Sequence, residues 1–191
     1  VAIKAAKSIN YKNAGTIEFL LDKYGKYYFM EMNTRIQVEH PITEMITGID
    51  LLKAQIRIAA GQVLPYKQDD IKIIGHAIEC RINAENPNKN FRPCPGGIKS
   101  LHIPGGYGVR VDSAAYQGYK IPPTYDSMIG KLIVHGEDRD EAICKMRRAL
   151  GEFIIEGVDT NIDFQFKIVN NKDFIKGNFD TGFIGKEFKN I

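Results

Sequence analysis

Glu31, Asn33, Arg35, Gln37 and Glu39 recur at every second position, and a further acid, Glu18, precedes them across a short turn-like stretch. Two strand-like runs, Thr16–Leu21 and residues 27–32, flank Asp22-Lys23-Tyr24-Gly25-Lys26 and read as a β-hairpin with a longer loop. Antiparallel pairing keeps the sum of opposed residue numbers constant, so if Asp22 faces Tyr27, Glu18 faces Glu31. Opposed carboxylates on one sheet face repel. A divalent cation between them removes that cost. So few protein donors suit hard Mg2+ or Mn2+ held jointly with phosphate oxygens. Two acids are also ordinary on a solvated hairpin face, and the pair alone favours that plainer reading.

The following residues shift the balance. Strand alternation from Tyr27 sets Phe29, Glu31, Asn33, Arg35, Gln37 and Glu39 on one side. Met30, Met32, Ile36 and Val38 fall on the other, where they would pack a core. The polar side then offers a metal ligand, an amide, a guanidinium, an amide and a carboxylate in order. A solvated edge rarely orders its groups this way. If the strand ends near Asn33 and continues as a loop, strict alternation fails and the density of functional groups remains.

Other elements must hold these groups. Residues 1–9 have helical spacing, and residues 48–60 read as a helix stopped by Gly61. Residues 71–83 alternate like a strand, and residues 86–97 are loop-like. Short strands are expected at 98–103, 108–111 and 127–135. A helix should run from Arg139 to about Glu156 and another should start after Thr160, with residues 170–191 less clear. The boundary between a hairpin-plus-helix lobe and a strand-plus-helix lobe falls near residues 61–70.

Composition narrows the function. A net charge of +3 gives no reason to expect nucleic acid or a membrane surface. No apolar run approaches the ~20 residues of a membrane-spanning helix. Cys80, Cys94 and Cys144 show no CxxC spacing, which disfavours a disulfide framework or zinc site and fits a reducing cytoplasm. The chain opens at Val1 directly in an amphipathic helix and contains no Gly-rich phosphate loop. It reads as a fragment or processed piece.

The run Glu31-Met32-Asn33-Thr34-Arg35-Ile36-Gln37-Val38-Glu39-His40-Pro41 resembles the signature of biotin carboxylases within the ATP-grasp superfamily. An acid–x–Asn pair is shared by many ATP-grasp ligases. The Arg-x-Gln-Val-Glu-His that follows is more selective and argues against carbamoyl-phosphate synthetase or peptide-ligase relatives. The resemblance continues through residues 43–50, 75–85 and 125–131. It implies an α+β chain: the C-terminal part of an ATP-grasp domain over residues 1–65, then a mixed or antiparallel-sheet biotin carboxylase C-terminal domain over 66–191.

By that resemblance Glu18, Glu31 and Asn33 match the metal positions, and Glu18, Leu20 and Glu31 the ATP-binding ones, with Thr181 a further adenine-pocket candidate. Arg35, Gln37 and Val38 match the bicarbonate group, Val38 through its backbone. Glu39 matches the general base, Arg35 serves catalysis as well as binding, and Arg81 matches the catalytic residue facing the biotin ureido oxygen. Tyr107 and Arg110 match positions of a homodimer contact.

The implied reaction is ATP- and bicarbonate-dependent carboxylation of carrier-bound biotin, as part of acetyl-CoA carboxylase in fatty acid synthesis. Its cofactors would be ATP, Mg2+ or Mn2+, and biotin on a separate carrier. Its partners would be a biotin carboxyl carrier protein and carboxyltransferase subunits. The close of the chain after Phe188 looks like that of a stand-alone subunit, and Ile121-Pro122-Pro123-Thr124-Tyr125-Asp126 leans against pyruvate carboxylases. The family's nucleotide-binding lysines and glycine-rich lid precede the region present, and no biotin attachment site occurs. The alternative is therefore an inert module for dimerisation and carrier docking.

Several residues invite plainer assignments. His40, with Pro41, is expected to fix the turn after the site. Cys80 lies on the strand face opposite Arg81 and reads as a buried thiol. Lys145, Arg147 and Arg148 read as a solvated helix face.

Overall fold

The computed structural model describes residues 1–189 and divides the chain into two compact units, Val1–Ile73 and Ile74 onward. Asn190 and Ile191, at the end of the expected second domain, lie outside the described residues. Every strand pairing among the described residues is antiparallel, so the chain is α+β.

The first unit opens with α1 (Ala2–Ser8), followed by the hairpin β1 (Thr16–Leu21) and β2 (Tyr27–Asn33). Asp22 organises the turn: its Oδ1 accepts from the Tyr24 and Lys26 N–H groups at 2.8 and 2.9 Å. Gly25 supplies the φ of +79° the turn needs, a conformation other residues adopt only under strain. Pairing starts at Leu21↔Tyr27 rather than Asp22↔Tyr27. A β-bulge at Met30 then shifts the register by one residue, so that Glu18 still faces Glu31.

The strand ends at Asn33, and residues 34–39 form an irregular connection. Strict alternation therefore stops there. Met30 is 50% exposed, so the expected core face of the hairpin is not closed within this unit. Leu20, Leu21, Tyr27, Tyr28 and Phe29 are exposed as well, and Pro41 is the one buried residue among those described in the unit.

The turn expected at His40 and Pro41 leads directly into a helix, α2 (His40–Thr47). Pro41 sits in its first turn, where a missing N–H is harmless, and Gly48 closes it with φ 71°. The next helix, α3 (Leu51–Ala59), starts three residues later than the expected 48 because the Asp50 carboxylate caps the Lys53 N–H at 2.7 Å.

The second unit is built on β3 (His76–Asn83), which is shorter than the expected 71–83. Short strands follow: β4 (Glu85–Asn86), β5 (Arg92–Pro93), β6 (Gly96–Gly97), β7 (Ser100–His102), β8 (Val109–Ser113) and β9 (Lys120–Ile121). The long β10 (Met128–Gly136) lies between β3 and β8 in a three-stranded sheet. Even-numbered residues Cys80, Ile82, Leu132 and Val134 face α4 (Arg139–Glu152) and its Ala142, Met146, Ala149 and Leu150. Leu132 is fully buried, a contribution of about 1.5–3 kcal/mol. A Cβ on Gly136 would lie 2.7 Å from the Ala142 amide nitrogen, so the sheet–helix approach requires glycine there.

Asp138 caps α4 through the Glu141 N–H at 2.9 Å. The helix stops at Glu152, short of the expected 156, because β11 (Ile154–Glu156) pairs with β7. After α5 (Ile162–Asn170) come two short helices, α6 (Lys172–Lys176) and α7 (Phe183–Glu187). Ring contacts join Phe164, Phe174, Phe179, Phe183 and Phe188 around them.

Candidate active site

In the first unit, the hairpin register brings Glu18 and Glu31 opposite each other, and Asn33 ends the same strand. The Asn33 Nδ2 donates to Glu18 Oε1 at 2.8 Å and to Glu31 Oε1 at 3.1 Å. The two carboxylates thus converge on one point. Gln37 Nε2 donates to the same Glu18 oxygen at 3.1 Å. Arg35 Nη1 donates to the Ile36 carbonyl at 3.1 Å, and Nη2 lies 3.5 Å from Asn33 Oδ1. Glu18, Glu31, Asn33, Arg35 and Gln37 form one connected cluster even though the strand ends at Asn33.

Two converging carboxylates and one amide fit a hard divalent cation. No group of three or more His, Cys, Asp and Glu able to hold a metal occurs among the described residues. The remaining ligands would come from phosphate oxygens and water, the usual arrangement for Mg2+. The amide NH2 that bridges the acids would turn to present its Oδ1, since a cation repels an N–H donor.

Glu39 occupies the N-cap position of α2 and is exposed, and Val38 is half-buried. The His40 Nδ1 lies 2.9 Å from the Gln37 carbonyl oxygen. A carbonyl only accepts, so the contact requires the proton on Nδ1. His40 thereby ties the turn after Gln37, the role expected of it. Leu20, on β1, is 59% exposed, and Thr181 is exposed in the second unit.

In the second unit, Arg81 is exposed on the odd-numbered face of β3. It faces Lys131 of β10, which in turn faces Asp112 of β8. Lys131 Nζ lies 3.6 Å from Asp112 Oδ2, and Arg110 grips the same carboxylate with Nε at 2.7 Å and Nη2 at 2.8 Å. The Arg110 guanidinium holds the Asp112 carboxyl below the usual carboxylate range. Three cations and two acids, Glu79 and Asp112, share this face. Lys131 is 9% exposed, and although it ends the stretch 125–131 that carries the resemblance, the sequence assigns it no role. Arg110 is thus engaged in its own strand's ion pair, whereas Tyr107 is 93% exposed with the Lys145 Nζ 5.3 Å from its ring centre.

Cys80 is buried on the opposite face, and burial pushes its thiol up to about 12. The basic helix residues do more than face solvent. Arg147 reaches the Val169 carbonyl and Arg148 the Gly105 carbonyl. No helix among the described residues is long and apolar enough to cross a membrane.

Residues 79–186 match the family described as Biotin carboxylase C-terminal domain. Residues 1–67 match that described as Carbamoyl-phosphate synthase L chain, ATP binding domain. The chain is 60% identical over 184 residues to Biotin carboxylase 1 of Bacillus subtilis (strain 168), covering 96% of this chain and 41% of that protein. It is 59% identical over 190 residues to a pyruvate carboxylase subunit of Methanothermobacter thermautotrophicus, covering 100% of this chain and 38% of that protein.

Among solved structures it resembles the biotin carboxylase domain dimer of Hydrogenobacter thermophilus 2-oxoglutarate carboxylase, in complex with MgADP, ADP and bicarbonate. The TM-score is 0.95 at 52% identity, over 97% of this chain and 41% of that one. The chain spans about two fifths of the length of the curated relatives it matches.

Proposed function

The chain belongs to the biotin carboxylase family, and from that premise we propose that it carries the metal-, bicarbonate- and biotin-facing half of an ATP-dependent active site that carboxylates biotin on a separate carrier protein. The observation that carries this reading is the convergence of Glu18 and Glu31 on Asn33 Nδ2. Glu18, Glu31 and Asn33 would hold Mg2+ or Mn2+, which when bound would supply positive charge to offset that of the ATP phosphates. Glu18 and Leu20 border the nucleotide.

Arg35, Gln37 and the Val38 backbone orient bicarbonate, the planar Arg35 fork suiting a carboxylate-like anion. Glu39 takes the bicarbonate proton, making the oxygen nucleophilic toward the terminal phosphoryl group. ADP leaves and carboxyphosphate forms, which splits to CO2 and phosphate. Phosphate accepts the N1 proton of biotin as N1 bonds to CO2. Arg81 stabilises the negative charge that develops on the ureido oxygen.

The proposed setting is the biotin carboxylase component of acetyl-CoA carboxylase, working with a carrier protein and carboxyltransferase subunits in fatty acid synthesis. The Ile121-Pro122-Pro123-Thr124-Tyr125-Asp126 segment is what supports that choice over a pyruvate carboxylase, since a pyruvate carboxylase subunit at 59% identity stands beside the biotin carboxylases at 60%. Tyr107 and Arg110 are proposed to meet a second copy in a homodimer. The extreme exposure of Tyr107 also favours a narrower reading, that the 191-residue chain by itself only dimerises and docks the carrier.

The test uses the complete protein carrying this sequence, supplied with ATP, Mg2+, labelled bicarbonate and free biotin. Label fixed into carboxybiotin in an ATP-dependent manner is the expected result, and its absence in a folded preparation contradicts the proposal. Reconstitution with carrier and carboxyltransferase, offering acetyl-CoA or pyruvate, decides the acceptor.

A further inference from the structure

We propose that Asn161 is a positioning residue for Arg81, holding the backbone on which the proposed biotin-facing guanidinium is mounted. The inference rests on that reading of Arg81.

β3 is an edge strand: it pairs with β10 on one side, and no strand among the described residues joins its other side. In an antiparallel ladder a residue's N–H and C=O point to the same side, so alternate residues turn their backbone groups outward. Outward groups on an edge are left to water or to a chance partner unless something covers them.

At Arg81 and Asn83 that cover is Asn161. Its Oδ1 accepts from the Asn83 N–H at 2.9 Å, and its Nδ2 donates to the Arg81 carbonyl at 3.0 Å. Its own backbone N–H donates to the Asn83 carbonyl at 3.1 Å. The three bonds do the work of a missing neighbouring strand over the stretch that carries Arg81.

Asn161 is the N-cap residue of α5, and an asparagine there ordinarily accepts from its own helix's first N–H groups. Asn161 makes no such bond. Its side chain is directed wholly to β3, where it is 5% exposed with both polar atoms engaged. A residue serving only the start of α5 would not need this arrangement.

The experiment uses the complete carboxylase with three readouts: bicarbonate-dependent ATP cleavage without biotin, kcat and KM for free biotin, and the melting temperature. Asn161→Ala removes both side-chain bonds. Asn161→Asp keeps the acceptor and replaces the donor with an anionic oxygen facing the Arg81 carbonyl. Val169→Ala, in a buried position of the same helix, is the matched control for simple destabilisation.

The expected result is a loss of about tenfold to a hundredfold in kcat/KM for biotin in both Asn161 variants, the scale of an ångström-sized misplacement. Their biotin-independent ATP cleavage stays unchanged. Val169→Ala lowers the melting temperature and leaves the ratio of the two activities as in the parent. The proposal is overturned if the Asn161 variants keep the parent's ratio, lose both activities in proportion, or both fail to fold. Arg81→Met separates the two levels. If it collapses the ratio while the Asn161 variants do not, only the positioning role fails. If it leaves the ratio intact, the reading of Arg81 fails and the inference falls with it.

Discussion

Glu18 and Glu31 face each other across the β1–β2 hairpin, and one oxygen of each lies within 3.1 Å of Asn33 Nδ2. Without a cation, the amide is what softens the repulsion between them. Like charges opposed on a sheet face destabilise it, and a pair of this kind is worth roughly 0.2–1 kcal/mol. In a divalent-free buffer, Glu31→Gln should therefore leave the chain as stable as the parent or slightly more so. In the complete enzyme the same substitution would remove a proposed charged ligand to a hard cation. The Mg2+ concentration for half-maximal rate should rise and phosphoryl transfer should slow. A Mg2+ titration superimposing on the parent's would show that Glu31 is not a ligand.

The 191-residue chain alone is expected to show no bicarbonate-dependent ATP cleavage, because it contains no glycine-rich segment able to close over the phosphates. Phosphate release is measured with and without bicarbonate, alongside the complete protein. Robust bicarbonate-dependent release by the chain alone would contradict the expectation.

Cys80 gives a pH prediction. Its thiol is raised from 9.0 to about 12 in the fold, chiefly by burial. Above pH 9 the unfolded chain releases a proton that the folded chain keeps. The stability linked to this group is thus intact below about pH 9 and declines as pH rises toward 12, by up to about 1.4 kcal/mol per pH unit. Urea unfolding between pH 8 and pH 10.5 should show a shallower alkaline decline in Cys80→Ala than in the parent, despite its lower starting stability. Parallel declines would remove the thiol as the cause.

How far the sequence can be read follows from where its signals are local. The opposed acids follow from a constant pairing sum anchored at Asp22. The actual anchor is Leu21↔Tyr27, because Asp22 uses its side chain to build the turn. Left uncorrected, that one-residue slip would set Met30 against Glu18, and the bulge at Met30 restores the expected pair. The dense run from Glu31 to Glu39 is visible because its groups are close in sequence.

Helix α2 escapes a reading of the sequence because Pro41 looks like a turn signal, although proline is equally at home in a helix's first turn. The end of α4 is misplaced because Ile154 and Ile155 continue its apolar pattern, and what claims them is pairing with β7, some fifty positions earlier. Asn161 has no local signature at all. As an asparagine before a helix it reads as an ordinary cap, and its bonds go to a strand 78 and 80 positions away.

In the proposed reaction Glu39 acts before carboxyphosphate forms and Arg81 after, and on that order everything else depends. The most direct measurement is the yield of carboxybiotin per ATP cleaved in the complete enzyme, for Glu39→Gln and Arg81→Met, with biotin-independent ATP cleavage recorded in the same preparations. Glu39→Gln should depress ATP cleavage and carboxylation together. Arg81→Met should leave much of the ATP cleavage and lose about 10²–10³ in carboxylation, the usual consequence of removing one preorganised donor to a developing oxyanion. If both variants lower the two activities in the same proportion, or if neither lowers them, the assignment of the two residues to opposite sides of carboxyphosphate is wrong.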